Sequence, residues 1–325
     1  MSSFSSICGS IGCKRKYILS RVLRKFIAPN SNLIFGSAFH LTQEKGLAEG
    51  IKYLNDFLPE EENVQNSIEL LTEMYIRQKA FLELHNIEIT DHEVPFKIQI
   101  GSEEDESFEG VIDGIANYKG GRWLVEFKTA KTIDVSHVPI DSQITAYMWA
   151  CENSVNINDD IKGVLYIVNR KAKEKEPVIL KNGSLSTAKN QGCSLSAYVN
   201  KALEMYGDQS SFPEKVKDCI AWLEQNYQPY IVMVEATRTK EDLQMFEESI
   251  MQYAEEEVSI KRAIKQYGID RVLKTTPCFP NKQCFQFCDY KDVCKKITLD
   301  KSISVESIED EEGYKDVFEI HNADI

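Results

Sequence analysis

Alternating hydrophobic and polar residues on either side of a short glycine turn predict a β-hairpin near the middle of the chain. Two segments of strand character, Gly110–Tyr118 and Arg122–Thr129, flank a Lys-Gly-Gly turn at 119–121. The second segment alternates with the period of two that a strand requires. Glu126 and Lys128 therefore point to the same face of the predicted hairpin.

Asp113, in the first strand, shares that face in either of two turn registers. A loop at 119–120 places Asp113 opposite Glu126, and a loop at 120–121 places it opposite Lys128. Two carboxylates and a lysine on one face can hold a divalent cation and orient a water molecule against a phosphate. A surface hairpin with a cross-strand ion pair is the alternative, and the hairpin alone favours that simpler interpretation.

Periodicity elsewhere predicts helices and strands on both sides of the hairpin. Helical patterns cover the stretch from Ile34 towards Leu54, then Val64–Glu88, 141–151, Val216–Gln225 and Lys240–Tyr267, and a basic amphipathic helix follows Cys13 and reaches Phe26. Strand patterns cover Glu93–Ile100, Gly163–Asn169 and Tyr230–Val234. The polar stretch 182–210 yields no prediction. The mixture indicates an α/β fold with a small mixed central sheet flanked by helices.

The composition is that of a globular domain with an excess of acidic residues. The 325 residues carry a net charge of −13, which argues against a protein that coats nucleic acid nonspecifically but leaves local contacts open. Much of the excess lies at 299–325, which we expect to be a solvated acidic tail. No apolar run is long enough to span a bilayer, so we expect no membrane partner and an intracellular, cytoplasmic location.

Cysteine spacing predicts a second site. The chain has nine cysteines, and four crowd together at Cys278, Cys284, Cys288 and Cys294. Disulfides are rare inside cells, so this crowding indicates a metal or an inorganic cluster. Zinc remains open as an alternative, although the close C-x2-C pairs common in zinc sites do not occur here.

The order of these residues resembles that of the PD-(D/E)XK nuclease superfamily. The hairpin carries Gly110-x-x-Asp113 and then Glu126-x-Lys128, and Gln143-x-x-x-Tyr147 follows fifteen residues later. The resemblance is nearer to the RecB-like branch, in which these groups occur in this order. It implies a restriction-endonuclease-like α/β fold that hydrolyses phosphodiester bonds in DNA.

Both ends of the chain resemble the iron–sulfur nucleases of that branch, which include AddB-type repair subunits and CRISPR-associated exonucleases. The matching segments are Cys13-x-Arg-x-Tyr17 and Cys288-x-Tyr-x3-Cys294, although the gap between Cys284 and Cys288 is one residue longer than usual. The resemblance implies a [4Fe–4S] cluster on Cys13, Cys284, Cys288 and Cys294. Cys278 could replace Cys13 as the fourth ligand.

The resemblance also implies a catalytic metal site that binds Mg²⁺ or Mn²⁺. His40 falls where the family has Gly-x-x-x-His, with the imidazole as a metal ligand. The implied ligands of one or two ions are the side chains of His40, Asp113 and Glu126 and the backbone carbonyl of Phe127.

The remaining family residues imply a division of roles around that metal. Lys128 would position and activate the attacking water. Gln143 and Tyr147, four residues apart on one helix face, would orient Lys128 or the DNA strand.

We therefore expect one nuclease domain over 1–298, with a helical insertion at about 41–90 and a cluster-binding segment at 278–294 that joins Cys13. The expected activity is that of an exonuclease on single-stranded DNA or DNA ends, in repair, recombination, or phage or CRISPR DNA processing. A virus-encoded enzyme would suit the compact chain, and any helicase or recombination partner would be a separate protein because no ATP-binding P-loop occurs. The alternatives are a non-catalytic scaffold that binds DNA ends and a zinc-stabilised interaction protein.

Overall fold

The computed structural model describes residues 2–3, 12–23, 25–27, 29–59, 63–100, 107–154, 157, 160–189, 191–226, 229–277, 282, 284, 288, 290–300, 302, 304 and 314–316. The predictions for Cys278 and for most of the acidic tail therefore concern residues outside this description. Among the described helices, none combines the length and the apolar character that crossing a membrane requires.

A mixed sheet forms the centre of the molecule. The strands are β1 (Ser2–Ser3), β2 (Lys25–Ile27), β3 (Glu88–Gln99), β4 (Ser107–Tyr118), β5 (Gly121–Ala130), β6 (Ile161–Arg170), β7 (Ile231–Ala236) and β8 (Tyr314–Asp316). The main sheet has the order β3-β4-β5-β6-β7, and β1 adds a short parallel pairing to β4. Only β5 and β6 are parallel among its five main strands, while β2 and β8 form a separate antiparallel pair.

Helices cover both faces of the sheet. They are α1 (Lys14–Tyr17, continued by the π-helical turn Ile18–Val22), α2 (Ser31–Lys45), α3 (Leu47–Phe57), α4 (Val64–Leu84), α5 (Ser142–Asn153), α6 (Leu195–Tyr206), α7 (Glu214–Asn226), α8 (Lys240–Tyr267), α9 (Ile269–Thr275) and α10 (Lys291–Leu299). Helix α5 forms the crossover between the parallel strands β5 and β6. The α/β fold with a mixed central sheet, predicted from the sequence, is confirmed.

Two hydrophobic cores sit on opposite faces of the sheet. On one face, Trp149 of α5 and Ile250 of α8 pack with Leu124 of β5. On the other face, α2, α3 and α4 contribute Phe39, Leu54 and Leu71, which pack with Val125 and Phe127 of the same strand. Neighbouring residues of β5 therefore belong to different cores, as the alternation of a strand requires. Burial on both faces fixes the register of β5, on which Glu126 and Lys128 lie.

Two smaller cores lie away from the sheet. Near the beginning of the chain, Tyr17 and Ile18 pack against Val293 and Ile297 of α10. The second core joins α6 and α7 around the fully buried Tyr198.

Three predicted segments differ in the structure. The helix expected from Ile34 towards Leu54 is two helices, because Gly46 adopts a φ of +94° and separates α2 from α3. The helix after Cys13 ends at Val22, and residues 25–27 form β2. The unassigned stretch 182–210 contains α6, whose first turn is capped by the Ser194 hydroxyl.

Candidate active site

The turn of the β4–β5 hairpin selects one of the two registers. Lys119 and Gly120 both have positive φ, at 49° and 72°, as a two-residue type I′ turn requires. Tyr118 pairs with Gly121, and the ladder continues to Gly114 opposite Val125. Asp113 and Glu126 come next on the two strands, so the loop at 119–120 is confirmed.

The Asp113 carboxylate lies where the two strands stop pairing. Beyond Gly114 and Val125 no further residue pair joins β4 to β5. There the backbone N–H of Phe127 donates a hydrogen bond of 2.7 Å to Oδ2 of Asp113. The side chain replaces the backbone acceptor that a continued ladder would provide. This hydrogen bond fixes the carboxylate at the end of the hairpin.

Glu126 is a buried carboxylate with one unsatisfied oxygen. Its exposure is 2%, and Oε1 forms an ion pair with Nζ of Lys128. Oε2 has no hydrogen-bond partner within the described part of the chain. Burial, and then the negative charge of Asp113, raise the pKa of Glu126 to about 7. A buried carboxylate oxygen of this kind is suited to bind a proton or a cation.

A chain of hydrogen bonds connects Lys128 to α5. The Asp141 side chain caps this helix by accepting from the backbone N–H of Gln143 at 2.8 Å. Nζ of Lys128 donates to Oε1 of Gln143 at 3.2 Å, and Nε2 of Gln143 donates to the Tyr147 hydroxyl at 2.7 Å. The structure therefore brings the predicted Gln143 and Tyr147 pair to the predicted lysine.

The protonation of this chain follows from its surroundings. Burial alone would lower the pKa of Lys128, but the ion pair with Glu126 outweighs it, so the pKa is raised and the side chain is an ammonium. Burial, and then the charge of Glu126, raise the pKa of the Tyr147 hydroxyl, which stays protonated.

His40 reaches the same place from α2. Its Nδ1 lies 3.4 Å from Oδ2 of Asp113. Burial opposes the charged imidazole, but the hydrogen bond and charge of Asp113 outweigh burial, so the pKa of His40 is raised. One turn earlier, a Cβ added to Gly36 would lie 4.0 Å from Oγ1 of Thr129. Helix α2 therefore runs beside the end of β5, where position 36 leaves room for an ordinary contact, and His40 lies one turn further along the helix.

Glu93 completes this group, and the sequence did not predict it. Single ligand atoms of His40, Glu93 and Asp113 all lie within 4.8 Å of one another. In β3, His92 pairs with Gly114 and Val94 with Ile112, so Glu93 lies opposite Asp113. Its φ is +47°, a left-handed conformation that is strained for a glutamate and recurs at functional sites. Burial, and then the charge of Asp113, raise the pKa of Glu93.

A comparison with known families agrees with this arrangement. The model described as the PD-(D/E)XK nuclease superfamily matches residues 2–295, which is nearly the whole chain. The chain belongs to this superfamily. Asp113 and Glu126-x-Lys128 are the residues that fit the pattern in the superfamily's name. No curated protein matches the chain.

Outside the PD-(D/E)XK residues, four cysteines from both ends of the chain line one cavity of about 260 Å³. They are Cys13, Cys284, Cys288 and Cys294. Cys13 also caps α1, because its sulfur accepts from the backbone N–H of Lys16 at 3.5 Å. Burial, together with the neighbouring Cys284 and Cys13, raises the pKa of the Cys288 thiol.

A buried arginine contacts this cavity. Arg15 is 4% exposed, and its Nη1 donates to Sγ of Cys294 at 3.3 Å and to the Thr298 hydroxyl at 2.8 Å. Nη2 donates to the carbonyl of Thr276 at 2.9 Å, while Nε has no partner among the residues that the structure describes. The described hydrogen bonds thus go to a thiol, a hydroxyl and a carbonyl.

Proposed function

We propose that the protein is a metal-dependent deoxyribonuclease that hydrolyses phosphodiester bonds. The observation that carries this proposal is the convergence of His40, Glu93 and Asp113 beside Glu126, whose second oxygen lacks a partner among the described residues. Imidazole and carboxylate ligands suit Mg²⁺ or Mn²⁺. Membership of a nuclease superfamily supports the same chemistry.

Four side chains are candidate metal ligands, and three of them, His40, Glu93 and Asp113, place ligand atoms within 4.8 Å of one another. His40, Asp113 and Glu126 are the ligands that the family resemblance implies, with the carbonyl of Phe127, and the geometry adds Glu93. When bound, Mg²⁺ or Mn²⁺ would act as a Lewis acid toward the scissile phosphate and lower the pKa of a coordinated water. The hydrogen bond from Phe127 N–H holds Asp113 in place for this role.

Lys128 would act on the phosphate and the water. As an ammonium held by Glu126 and Gln143, it offsets the negative charge that develops on the phosphate oxygens and orients the attacking water. The water oxygen forms the new bond to phosphorus and releases one proton to solvent, one phosphorus–oxygen ester bond breaks, and the leaving oxygen takes up one proton from solvent. Gln143 and Tyr147 would fix the position of the lysine.

We further propose that the enzyme belongs to the RecB-like branch and acts on DNA as an exonuclease. The support is the order of the sequence motifs, together with the hydrogen-bonded series that joins Lys128 to Gln143 and Tyr147. The same positions would serve a scaffold that only binds DNA ends, and a cleavage assay separates the two functions.

The test compares the wild type with Lys128→Ala and with a matched surface control. Lys201→Ala suits the control because Lys201 pairs with Glu204 on α6, outside the catalytic residues. Each protein is incubated with linear single-stranded, linear duplex and closed circular DNA in Mg²⁺, Mn²⁺ or EDTA. We expect the wild type and Lys201→Ala to degrade linear DNA with metal, and Lys128→Ala to be inactive. Sparing of circles would identify an exonuclease, whereas binding without cleavage would identify a scaffold.

We also propose that the cysteine cavity holds a [4Fe–4S] cluster with a structural role. A zinc–sulfur distance of ~2.3 Å in a tetrahedral site puts thiolate sulfurs about 3.8 Å apart. Among the described residues, however, no three cysteine sulfurs lie within 4.8 Å of one another. The group that does meet this distance is that of His40, Glu93 and Asp113. Thiolates spread around a cavity suit a larger centre, and the buried guanidinium of Arg15 suits an anionic one.

Elemental analysis tests the cluster. Wild-type protein purified without oxygen should contain iron and acid-labile sulfide and should absorb visible light. The Cys294→Ser variant should lack the iron, the sulfide and this absorbance. Cys151→Ser is the matched control, because Cys151 is buried in the core beside α8 and away from the cavity. If the protein contains zinc and no sulfide, the cavity is a zinc site and the cluster proposal is wrong. The nuclease proposal is unchanged by that result.

A further inference from the structure

A cavity of about 580 Å³ opens from the proposed metal ligands along the helices α2 and α3. His40, Glu93 and Asp113 line one part of it, and Tyr53 and Phe57 of α3 line another. Its volume lies in the range of ~300–1,000 Å³ that is usual for small-ligand sites. The hydrolytic chemistry proposed above uses the first group only.

Helix α3, which carries the two aromatic side chains, packs closely on α2. A Cβ added to Gly50 would lie 2.2 Å from Cγ2 of Thr42 and 2.8 Å from the carbonyl of Ala38, so only glycine fits between the helices. Tyr53 and Phe57 follow one and two turns later. Their ring centroids are 4.5 Å apart with a tilt of 38°. Tyr53 packs partly on the core, whereas Phe57 is 40% exposed. The pair therefore presents a supported aromatic surface to the cavity.

The charges on this wall do not suit a phosphate backbone. Glu44, Glu49 and Asp56 line the cavity with two lysines, and Glu44 lies 3.6 Å from one of them, Lys45. Negative charge therefore exceeds positive charge even without the metal ligands. A phosphodiester would be repelled, but a nucleobase is neutral and planar, and stacks on aromatic rings whatever its sequence.

Positive side chains lie instead at the other end of α2. The backbone N–H of Lys171 donates to the carbonyl of Ala130 at 2.7 Å, which places Lys171 beside Lys131 beyond the ends of the parallel strands. Nζ of Lys171 donates to the carbonyl of Asn32. The eight residues from Asn32 to His40 rise about 12 Å along the helix. Phosphates can thus follow this side while a base enters the cavity on the other side of His40.

We infer that the cavity binds one unpaired nucleobase next to the scissile phosphate, stacked on Tyr53 and Phe57. This inference rests on the proposed nuclease function and adds the surface that binds a base of the substrate. A base inside the cavity cannot remain paired in a duplex, so the enzyme cuts single-stranded or frayed ends in preference to paired ones.

The test combines a protein change with a substrate change. Single-stranded oligonucleotides carry one abasic residue at a defined position, and products are mapped at single-nucleotide resolution. We expect wild-type cleavage at the phosphate next to the missing base to fall roughly 5- to 150-fold, the range that corresponds to one lost stacking contact. The double variant Tyr53→Leu/Phe57→Leu should cut the intact strand as slowly as the wild type cuts next to the abasic residue. Removal of the base should not reduce the cleavage rate of this double variant any further.

Phe81→Leu is the matched control. Phe81 forms a similar aromatic contact with His85, at 4.3 Å, and does not line the cavity. This variant should keep the wild-type response to the missing base. Stacking can also be measured without cleavage, in the Lys128→Ala variant bound to an oligonucleotide that ends in 2-aminopurine. The fluorescence of this base should be quenched, and the quenching should disappear when Tyr53 and Phe57 are also replaced by leucine.

The outcomes separate the two proposals. Wild-type protein that cuts DNA equally at intact and abasic positions overturns the base site and leaves the nuclease standing. Equal quenching of 2-aminopurine with and without the aromatic pair would likewise overturn the base site and leave the nuclease proposal unchanged. Absence of any metal-dependent cleavage overturns the nuclease itself.

Discussion

The carboxylate of Asp113 accepts a hydrogen bond of 2.7 Å from the backbone N–H of Phe127, where β4 and β5 stop pairing. The same carboxylate therefore supports the fold and faces His40. Replacement by asparagine keeps an acceptor and removes the charge, whereas replacement by alanine removes both.

We expect Asp113→Ala to be less stable than Asp113→Asn by about 1–3 kcal/mol, because it leaves the buried N–H of Phe127 without an acceptor. Both variants should lose Mn²⁺ binding, since both lack the negative charge. Urea unfolding in EDTA measures the first effect and titration calorimetry the second. Equal stability of the two variants would contradict the role given to this hydrogen bond.

The raised pKa of Glu126 predicts how the metal-free protein responds to pH. Its ordinary pKa of 4.5 is raised to about 7 in the fold by burial and by Asp113. Because the folded-state pKa is raised, the stabilisation that this carboxyl contributes is fully present below pH 4.5 and is lost as the pH rises through 7. In EDTA, the melting temperature should therefore fall between pH 5 and pH 8.

Glu126→Gln is the control for this pH dependence, because its amide does not ionise. The variant should show a smaller fall. A residual slope is expected from His40, whose pKa is also raised and which loses its stabilising charge in the same direction. A wild-type slope in Glu126→Gln would contradict the assignment.

Gln143 is expected to act through Lys128. Gln143→Ala removes the oxygen that accepts a hydrogen bond from Nζ of Lys128 at 3.2 Å. The ammonium then keeps its ion pair with Glu126 but loses its contact with α5. We expect single-turnover cleavage to slow roughly tenfold, which corresponds to about 1.4 kcal/mol, with Mn²⁺ affinity unchanged. In a Lys128→Ala background, the same change should have no further effect. An equal loss in both backgrounds would indicate that Gln143 contacts the DNA directly.

Arg15 is expected to hold the metal centre of the cysteine cavity. Arg15→Met removes the donor to Cys294 and the buried positive charge, and the loss of such an outer contact typically weakens metal binding about 10- to 100-fold. The rate at which the bound metal passes to a chelator can be measured by absorbance. This rate should be about 10- to 100-fold higher in Arg15→Met than in the wild type. Lys14→Met, which removes a surface ion pair with Glu256, should behave as the wild type. Equal release rates in the two variants would contradict the proposed contact.

The hairpin could be predicted from the sequence because two independent constraints agree. The alternation of residues placed Asp113, Glu126 and Lys128 on one face, and the turn allowed only two registers. The choice between them depended on the backbone of Lys119, which adopts a positive φ that no local pattern in the sequence indicates. Helix α5 was predicted at 141–151 from its residue pattern, and it forms over Ser142–Asn153 with Asp141 as its cap.

Glu93 could not be predicted, because its role depends on a pairing between distant residues. An acidic residue in a strand is ordinary, and only the register of β3 on β4 places it opposite Asp113. The break between α2 and α3 was missed for a different reason. Gly46 lies inside a continuous helical pattern, and a single glycine there is compatible with an unbroken helix.

The contacts of Arg15 set an order of events during synthesis. Its partner Thr276 lies 261 residues further along the chain, whereas the last strand of the sheet ends at Ala236. At ~5–20 residues per second, a ribosome needs roughly 13–52 seconds to add those 261 residues. The central sheet can therefore assemble while Arg15 still lacks Thr276, Cys294 and Thr298. The full set of contacts that Arg15 makes between the two ends can form only after translation has passed Thr298.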